Sequence, residues 1–366
     1  MGIKSFTKVF EYTDEFAYKN FKNKNVVIDG FTELYRAALG LKTINTLTDS
    51  QGKPTAHINT ILLGVVLKLK AAGANQYWVF DYNTHAEDGI QNHNPLKQLE
   101  LAKRKLKKNT AQDNIKRLTK QLEKKASIED DLFSEDDDDD TNNDNGSGPS
   151  ITVTTQDIQI EIDKQQKAAF TLKSFYIEDV KFILDMLDIP WIECPAGFDA
   201  EQIAAFSTID NNIFGVKMDY VLSQDMDSLL FGARVLIKRD LKKKKLFKYE
   251  LAKVLKDYKL TQDNFIKIGL ILGCDFAPKT PRIGPKTVLK KYGDIVLSEE
   301  QMKAYNDNFK RRLTNEELKS IKIMNSDVEP FSDKKKYDAL IDWIVMIKGF
   351  NRDRITKQFN KIDLFV

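Results

Sequence analysis

Only two cysteines, Cys194 and Cys274, occur in the 366 residues. They stand far apart in apolar surroundings, and neither is flanked by a metal-ligand pattern. A disulfide framework or a cysteine-based zinc site is thereby disfavoured, and a reducing, intracellular setting fits. Histidine is as sparse: His57, His85 and His93 complete the set, and none lies near the acids discussed below. No apolar run approaches the roughly 20 residues needed to cross a bilayer. The N-terminal MGIKSFTKVF has no apolar signal-peptide core. It also places Phe6 where a myristoylation motif at Gly2 requires Ser or Thr. G-x-S-x-G and H-E-x-x-H are both missing. PRIGPKT lacks the first glycine of a phosphate-binding P-loop, which argues against an NTPase.

What is present is charge, unevenly spread. Charged residues make up 30% and hydrophobic residues 42%, the balance of a soluble chain with a large core and one or two domains. The net charge is +3, yet ten acids and no base fall between Glu129 and Asp144; without those ten acids the rest carries +13. A body this basic suits a polyanionic partner, and an ordinary lysine-rich surface accounts for it equally well. Residues 130–150, DDLFSEDDDDDTNNDNGSGPS, cannot bury a core and are expected to be disordered. They follow a helical segment from 96 to about 126.

Elsewhere, short apolar runs alternate with helical spacing. NVVIDG (25–30) and QYWVFD (76–81) read as strands, and 56–72 between them carries helical periodicity. Past the acidic tract, 176–187 reads as an amphipathic helix, PWIECPAG as strand and loop, 200–206 as a helix and DYVLSQD as a strand. RVLIKRD and KLFKYEL read as a hairpin with the KKKK run at its tip, and the C-terminal third as helical. This alternation predicts an α/β fold with a central, mostly parallel sheet flanked by helices.

Acids punctuate that pattern. Asp29, Asp81 and Asp225 each stand at or just past the carboxyl end of a predicted strand, the edge where open α/β sheets build their sites. Asp227 is two residues on, Asp199 and Glu201 open a helix, and Asp275 ends the apolar run IKIGLILGCD. Singly, each has a bland explanation as a helix cap or turn residue. Together they conflict, because two carboxylates at about 4 Å repel by roughly 4 kcal/mol at an effective dielectric of 20. Protonation or bridging cations would resolve the conflict. All-oxygen ligands suit Mg²⁺ or Mn²⁺ rather than zinc. A carboxylate nest holding two hard ions opposite a basic body points to phosphodiester chemistry.

At this point the chain resembles the flap endonuclease, or XPG-type, family of structure-specific nucleases. The likeness runs in order through most of the chain. MGI opens it, VVIDG carries Asp29 and VFDYN carries Asp81. DAEQIAA resembles the family's E-A-E, with Asp199 where Glu is usual. SQDMDSLLFGA is nearly E-D-M-D-x-L-x-F-G-A. LGCDF, with Asp275, precedes IGPKT of a helix–two-turn–helix element.

The resemblance implies a nuclease core of the PIN-like kind with two Mg²⁺ ions, Mn²⁺ substituting. Asp29, Asp81 and Glu201 would hold one ion with Asp199 close by, and Asp225, Asp227 and Asp275 the other. LKQLELAKRK resembles the start of a helical arch. In it Lys97 and Arg104, two turns apart on one helix face, would hold the scissile phosphate. Lys103 beside them, Gly2, and Tyr35 as a base-stacking aromatic would meet the substrate. Arg282, Gly284, Lys286 and Thr287 would grip a duplex backbone, with K⁺ held by main-chain carbonyls.

The implied organisation is a nuclease region at 1–106 and an arch at 107–172 with its disordered acidic insert at about 129–158. A second nuclease region covers 173–275, the helix–two-turn–helix and helical region 276–350, and a tail 351–366. Ile362 and Phe365 in that tail resemble a sliding-clamp motif, with the expected Gln displaced by one and Val366 in place of the second aromatic. The acidic insert is unusual for the family. Shielding of the basic arch and an inert spacer are both open readings of it.

The implied function is Mg²⁺-dependent cleavage of 5′ flaps, with 5′–3′ exonuclease activity, on DNA in replication, repair or recombination by a monomer with no membrane role. Alternatives are a sibling exonuclease or junction nuclease, an RNA-directed 5′ nuclease, and a non-catalytic DNA-binding scaffold of the replisome. A cellular eukaryotic member would act in the nucleus, and one from a large DNA virus at a cytoplasmic replication site.

Overall fold

Val26, Val27 and Ile28 are fully buried, so successive side chains on both faces of one strand are covered. That is the condition of a parallel strand sandwiched between helices. The strand is β2 (Asn25–Asp29) of a seven-stranded sheet. The others are β1 (Asp14–Phe16), β3 (Asn75–Phe80), β4 (Trp191–Glu193), β5 (Tyr220–Leu222), β6 (Val235–Asp240) and β7 (Lys245–Glu250). The structure is a computed structural model that describes residues 6–39, 47–82, 98–132, 154–210, 212–240, 243 and 245–360.

The strands lie in the order β1-β7-β6-β5-β2-β3-β4. Pairing is parallel from β6 through β5, β2 and β3 to β4, and antiparallel at β6–β7 and β7–β1. The expected mostly parallel sheet and the hairpin are both present. Strand β1 was not foreseen. It is three residues long and largely exposed, and its partner strand rather than its own pattern makes it extended.

Chain direction across the sheet turns at β2. From there the chain moves outward to β3 and then β4, and later returns to lay β5 on the opposite side of β2. Carboxyl ends of strands flanking such a reversal diverge and leave a crevice. Helix α1 (Gly30–Leu39) leaves β2 directly. The predicted helix between β2 and β3 runs over Ala56–Ile58 and Leu67–Ala71, with π-helical winding at Asn59–Val66 between them.

By contact density the chain forms two compact units, residues 1–98 with 172–366, and residues 99–171. The smaller unit holds a helix at Gln98–Leu132 and another at Thr155–Ala169. The first contains no Gly or Pro and is rich in Lys, Leu, Gln and Ala, all strong helix formers. Ile158 and Ile162 of the second bury against Leu118 and Leu122 of the first. Part of the stretch expected to be disordered is therefore helical, up to Leu132 and again from Thr155. A reciprocal cap starts the later helix: the Asp157 N–H donates to Thr154 Oγ1 (3.1 Å) and the Thr154 N–H to Asp157 Oδ2 (3.0 Å). Such a cap stabilises a helix start by about 1 kcal/mol. The DDDDD run lies outside the described residues.

In the larger unit, the C-terminal helices are tied to the helices Ala56–Ile58 and Ser174–Met186 by a buried polar cluster. The Lys348 Nζ donates to Asp179 Oδ1 (2.7 Å) and Oδ2 (2.8 Å). His57 Nε2 lies 3.1 Å from Asp179 Oδ2. All three residues are at least nine-tenths buried. Burial above all holds His57 below its ordinary pKa, and the Lys348 charge adds to that. Lys348→Met would leave Asp179 buried without its cation, a change that costs about 3–5 kcal/mol. With the ammonium gone, His57 can take a proton beside Asp179, so its folded-state pKa rises. The extra stability that follows is present at low pH and lost as pH increases. Denaturant titrations should therefore find the K348M deficit larger at pH 8 than at pH 5.5.

Candidate active site

Asp29 ends β2 and is 1% exposed. Its Oδ1 accepts the Thr32 N–H (3.0 Å), and its Oδ2 accepts the Thr32 hydroxyl (2.5 Å) and the Ser223 hydroxyl (3.1 Å). Ser223 follows β5, and its Oγ in turn accepts the Asp225 N–H (3.1 Å). Asp225 Oδ1 then accepts the Asp227 N–H (3.0 Å). The turn that carries the acid pair is thus wound from Asp29 outward, one hydrogen bond at a time.

Asp81 follows β3, and its Oδ1 accepts the Ala200 N–H (2.7 Å) at the first turn of the helix Ala200–Ser207. That helix is preceded by Asp199 and carries Glu201. Gly30 lets these segments approach: a Cβ there would come within 2.5 Å of the Phe80 ring, next to Asp81. Asp275 arrives from the far side. The helix Gln262–Leu272 stops at Gly273, whose φ is +85°, and a Cβ at that glycine would lie 2.9 Å from the Lys279 backbone. The turn closes through the Cys274 N–H, which donates to Ala277 O (3.1 Å).

The electrostatics tie the acids together. Burial first, then the charges of Asp81 and Asp225, push Asp29 up to about 7 against the Thr32 hydrogen bonds. The Cys194 thiol is driven up by burial and by Asp81, Asp199, Asp29 and Glu201, so these four acids surround one point. Cys274 is raised by burial and by Asp227 and Asp275. Burial depresses Lys238, and Asp225 and Asp227 oppose the shift. Asp29 at the end of β2, Asp81 after β3 and Asp225 after β5 therefore meet at the carboxyl edge of the sheet, with Asp199 and Glu201 flanking the Ala200 amide that Asp81 accepts and with Asp227 and Asp275 near Cys274.

Among the described residues, no three His, Cys, Asp or Glu side chains have closed into a ready-made metal cage. The donor set nevertheless fits hard divalent cations in its chemistry. It is all carboxylate, and burial, aided by the charges of Asp81 and Asp225, already drives Asp29 toward the protonated form. Asp29, Asp81, Asp199 and Glu201 could hold one ion, and Asp225, Asp227 and Asp275 another.

Residues 188–275 match the XPG I-region. The flap endonuclease 1-A of Sorghum bicolor is 26% identical, over 99% of this chain and 86% of its own length. Among solved structures, flap endonuclease-1 from Methanococcus jannaschii has the same fold, with a TM-score of 0.60 at 18% identity, covering 99% of this chain and 98% of that one. The catalytic core of Rad2 in complex with DNA substrate gives a TM-score of 0.58 at 15% identity, covering 99% and 100%. The chain is thus similar to flap endonucleases along nearly its whole length and carries an XPG I-region.

Arg282 (φ +61°), Lys286 and Thr287 are exposed around the start of the helix Pro285–Lys291. The Gly284 N–H donates to Thr287 Oγ1 (3.2 Å), and nothing lies within 4 Å of where a Gly284 Cβ would be, so that side of the turn is open space. Tyr35 sits half-buried on α1. Lys103, exposed, and Arg104 lie on the helix Gln98–Leu132 of the smaller unit, described apart from the acids. Gly2, Lys97, Ile362 and Phe365 lie outside the described residues.

Three side chains at the site escaped the sequence reading. Thr32 and Ser223 are hydroxyls whose role depends on a rotamer and on a partner 194 residues away. Lys238 directly follows the apolar Val235, Leu236 and Ile237 of β6 and opens a charged half-strand, which reads as solvent-facing in the sequence. Asp29 also makes a measurable prediction. Its folded pKa is raised, from 3.8 to about 7, so in metal-free protein its contribution to stability is full below pH 4 and is lost as pH climbs to 7. The difference in unfolding free energy between wild type and Asp29→Asn should shift by about 4 kcal/mol across that window, and millimolar Mg²⁺ at pH 7 should restore most of the loss.

Proposed function

We propose that this enzyme is a structure-specific 5′ flap endonuclease with 5′–3′ exonuclease activity on DNA, dependent on two magnesium ions, for which manganese can substitute. One observation supports the reading: Asp29, Asp81 and the Asp225–Asp227 turn follow the carboxyl ends of three strands, β2, β3 and β5, beside the point where sheet direction reverses. Such crowding serves a nuclease and is a liability to a scaffold. The chemistry that two such ions supply is activation of water near neutral pH and stabilisation of charge on the attacking and leaving oxygens.

The chain's own part is placement. Asp29, with both oxygens engaged by hydroxyl and amide donors, anchors the first set of ligands. The turn Ser223–Asp227 presents the second. Lys97 and Arg104 hold the scissile phosphate and stabilise its developing charge. Arg282, Lys286, Thr287 and the Gly284 main chain take up duplex phosphates, with K⁺ at that turn, a mode of contact that positions DNA without reading its sequence. Tyr35 offers a ring to a terminal base. Specificity then rests on a bent duplex and a threaded single strand. Ile362 and Phe365 are the candidate contacts to a sliding clamp.

A labelled 5′-flap duplex, a nicked duplex and a four-way junction, incubated with Mg²⁺, test the reading. The flap should be cut fastest, and an RNA flap of the same sequence should compete poorly. Asp227→Ala should abolish cleavage while duplex binding persists, and Arg104→Ala should lower the rate by about 10²–10³. Full flap cleavage by D227A would overturn the assignment.

A further inference from the structure

Glu33 is a carboxylate that the proposed chemistry leaves without a task, and it is fully buried. It stands four residues after Asp29, on the first turn of α1. Its Oε2 accepts from Arg239 Nη2 on β6, and the two side chains are 0% and 6% exposed. Its Oε1 faces Gln224 Nε2 at 3.4 Å, and Gln224 separates Ser223 from Asp225. Arg239 Nη1 donates to the Gly64 carbonyl (2.7 Å) within the π-helical segment, and Arg36 Nη2 donates to the Arg239 carbonyl.

An ion pair this deep is a poor device for stability alone. Desolvating both charges costs about as much as their attraction returns, and well-packed apolar replacements are commonly neutral or stabilising. What the pair does supply is geometry. Two links cross from the β2–α1 segment to the turn after β5. One is Asp29 to Ser223, and the other, a helical turn away, is Glu33 to Gln224. Arg239 fixes the second link to β6 and to the helix behind it.

We propose that Glu33 and Arg239 are positioning residues that set the separation between Asp29 and the Asp225–Asp227 turn, and so keep the two acid groups in register for their ions. The proposal rests on the two-ion nuclease reading above.

The test uses the full chain and three readouts: melting without metal, Mn²⁺ binding by calorimetry, and flap cleavage with kcat and KM separated. In Glu33→Leu/Arg239→Met the pair is replaced by apolar side chains. This variant should melt at or above the wild-type temperature. It should bind Mn²⁺ about 10–100-fold more weakly and lose kcat by a similar factor with KM for the flap unchanged. Wild-type melting together with wild-type Mn²⁺ affinity and kcat would overturn the proposal. Should the double variant fail to fold, Gln224→Ala, which cuts only the cross-link, decides the matter. Weakened Mn²⁺ binding at an unchanged melting temperature supports the brace, and unchanged binding rejects it. A wild-type protein that neither binds Mn²⁺ nor cuts the flap would instead defeat the nuclease reading itself.

Discussion

Repulsion among buried carboxylates is the constraint around which the molecule is arranged. Nothing in the hydrophobic core requires Asp29, Asp225 and Asp227, all at most 4% exposed, to share one edge of the sheet. Desolvation disfavours each of them as an anion. The fold tolerates the arrangement by giving three of the acids local donors: Thr32 and Ser223 to Asp29, the Ala200 amide to Asp81, the Asp227 amide to Asp225. These bonds orient the oxygens and leave net charge uncompensated. That residual charge is what the proposed cations would neutralise.

The scaffold absorbs this cost through rigidity elsewhere. The strands that deliver the acids are apolar and covered on both faces. Phe6, Phe10 and Phe265 interlock with ring centroids 4.7–5.1 Å apart, which fixes the N-terminal segment to the helix that leads to Asp275. On the opposite side, the Lys348–Asp179–His57 cluster ties in the C-terminal helices. Loops that carry function are thus short and end on well-packed elements.

Much of this was legible in the sequence because it is local. Apolar runs such as VVI and YVL announce strands, and an acid directly after the first and three residues after the second marks the edge where a site would form. The spacing of Asp225 and Asp227, and the Gly273 stop before Asp275, are local as well. What escaped depends on distance along the chain. Glu33 and Arg239 are 206 residues apart and look like surface charges in one dimension. Ser223 looks like a turn residue until Asp29 is placed beside it. Strand β1 has no pattern of its own, and the limits of the acidic insert depend on Ile158 and Ile162 finding Leu118.

Gly30 has a consequence for how relatives of this chain diverge. Its missing side chain is the space that the Phe80 ring occupies, so the two positions share one volume. Any lineage that gains a methyl group at position 30 must shrink the ring at position 80, or slide one strand against its neighbour. The two should therefore drift as a pair, changing together or not at all, while positions on the outer faces of the same elements wander independently.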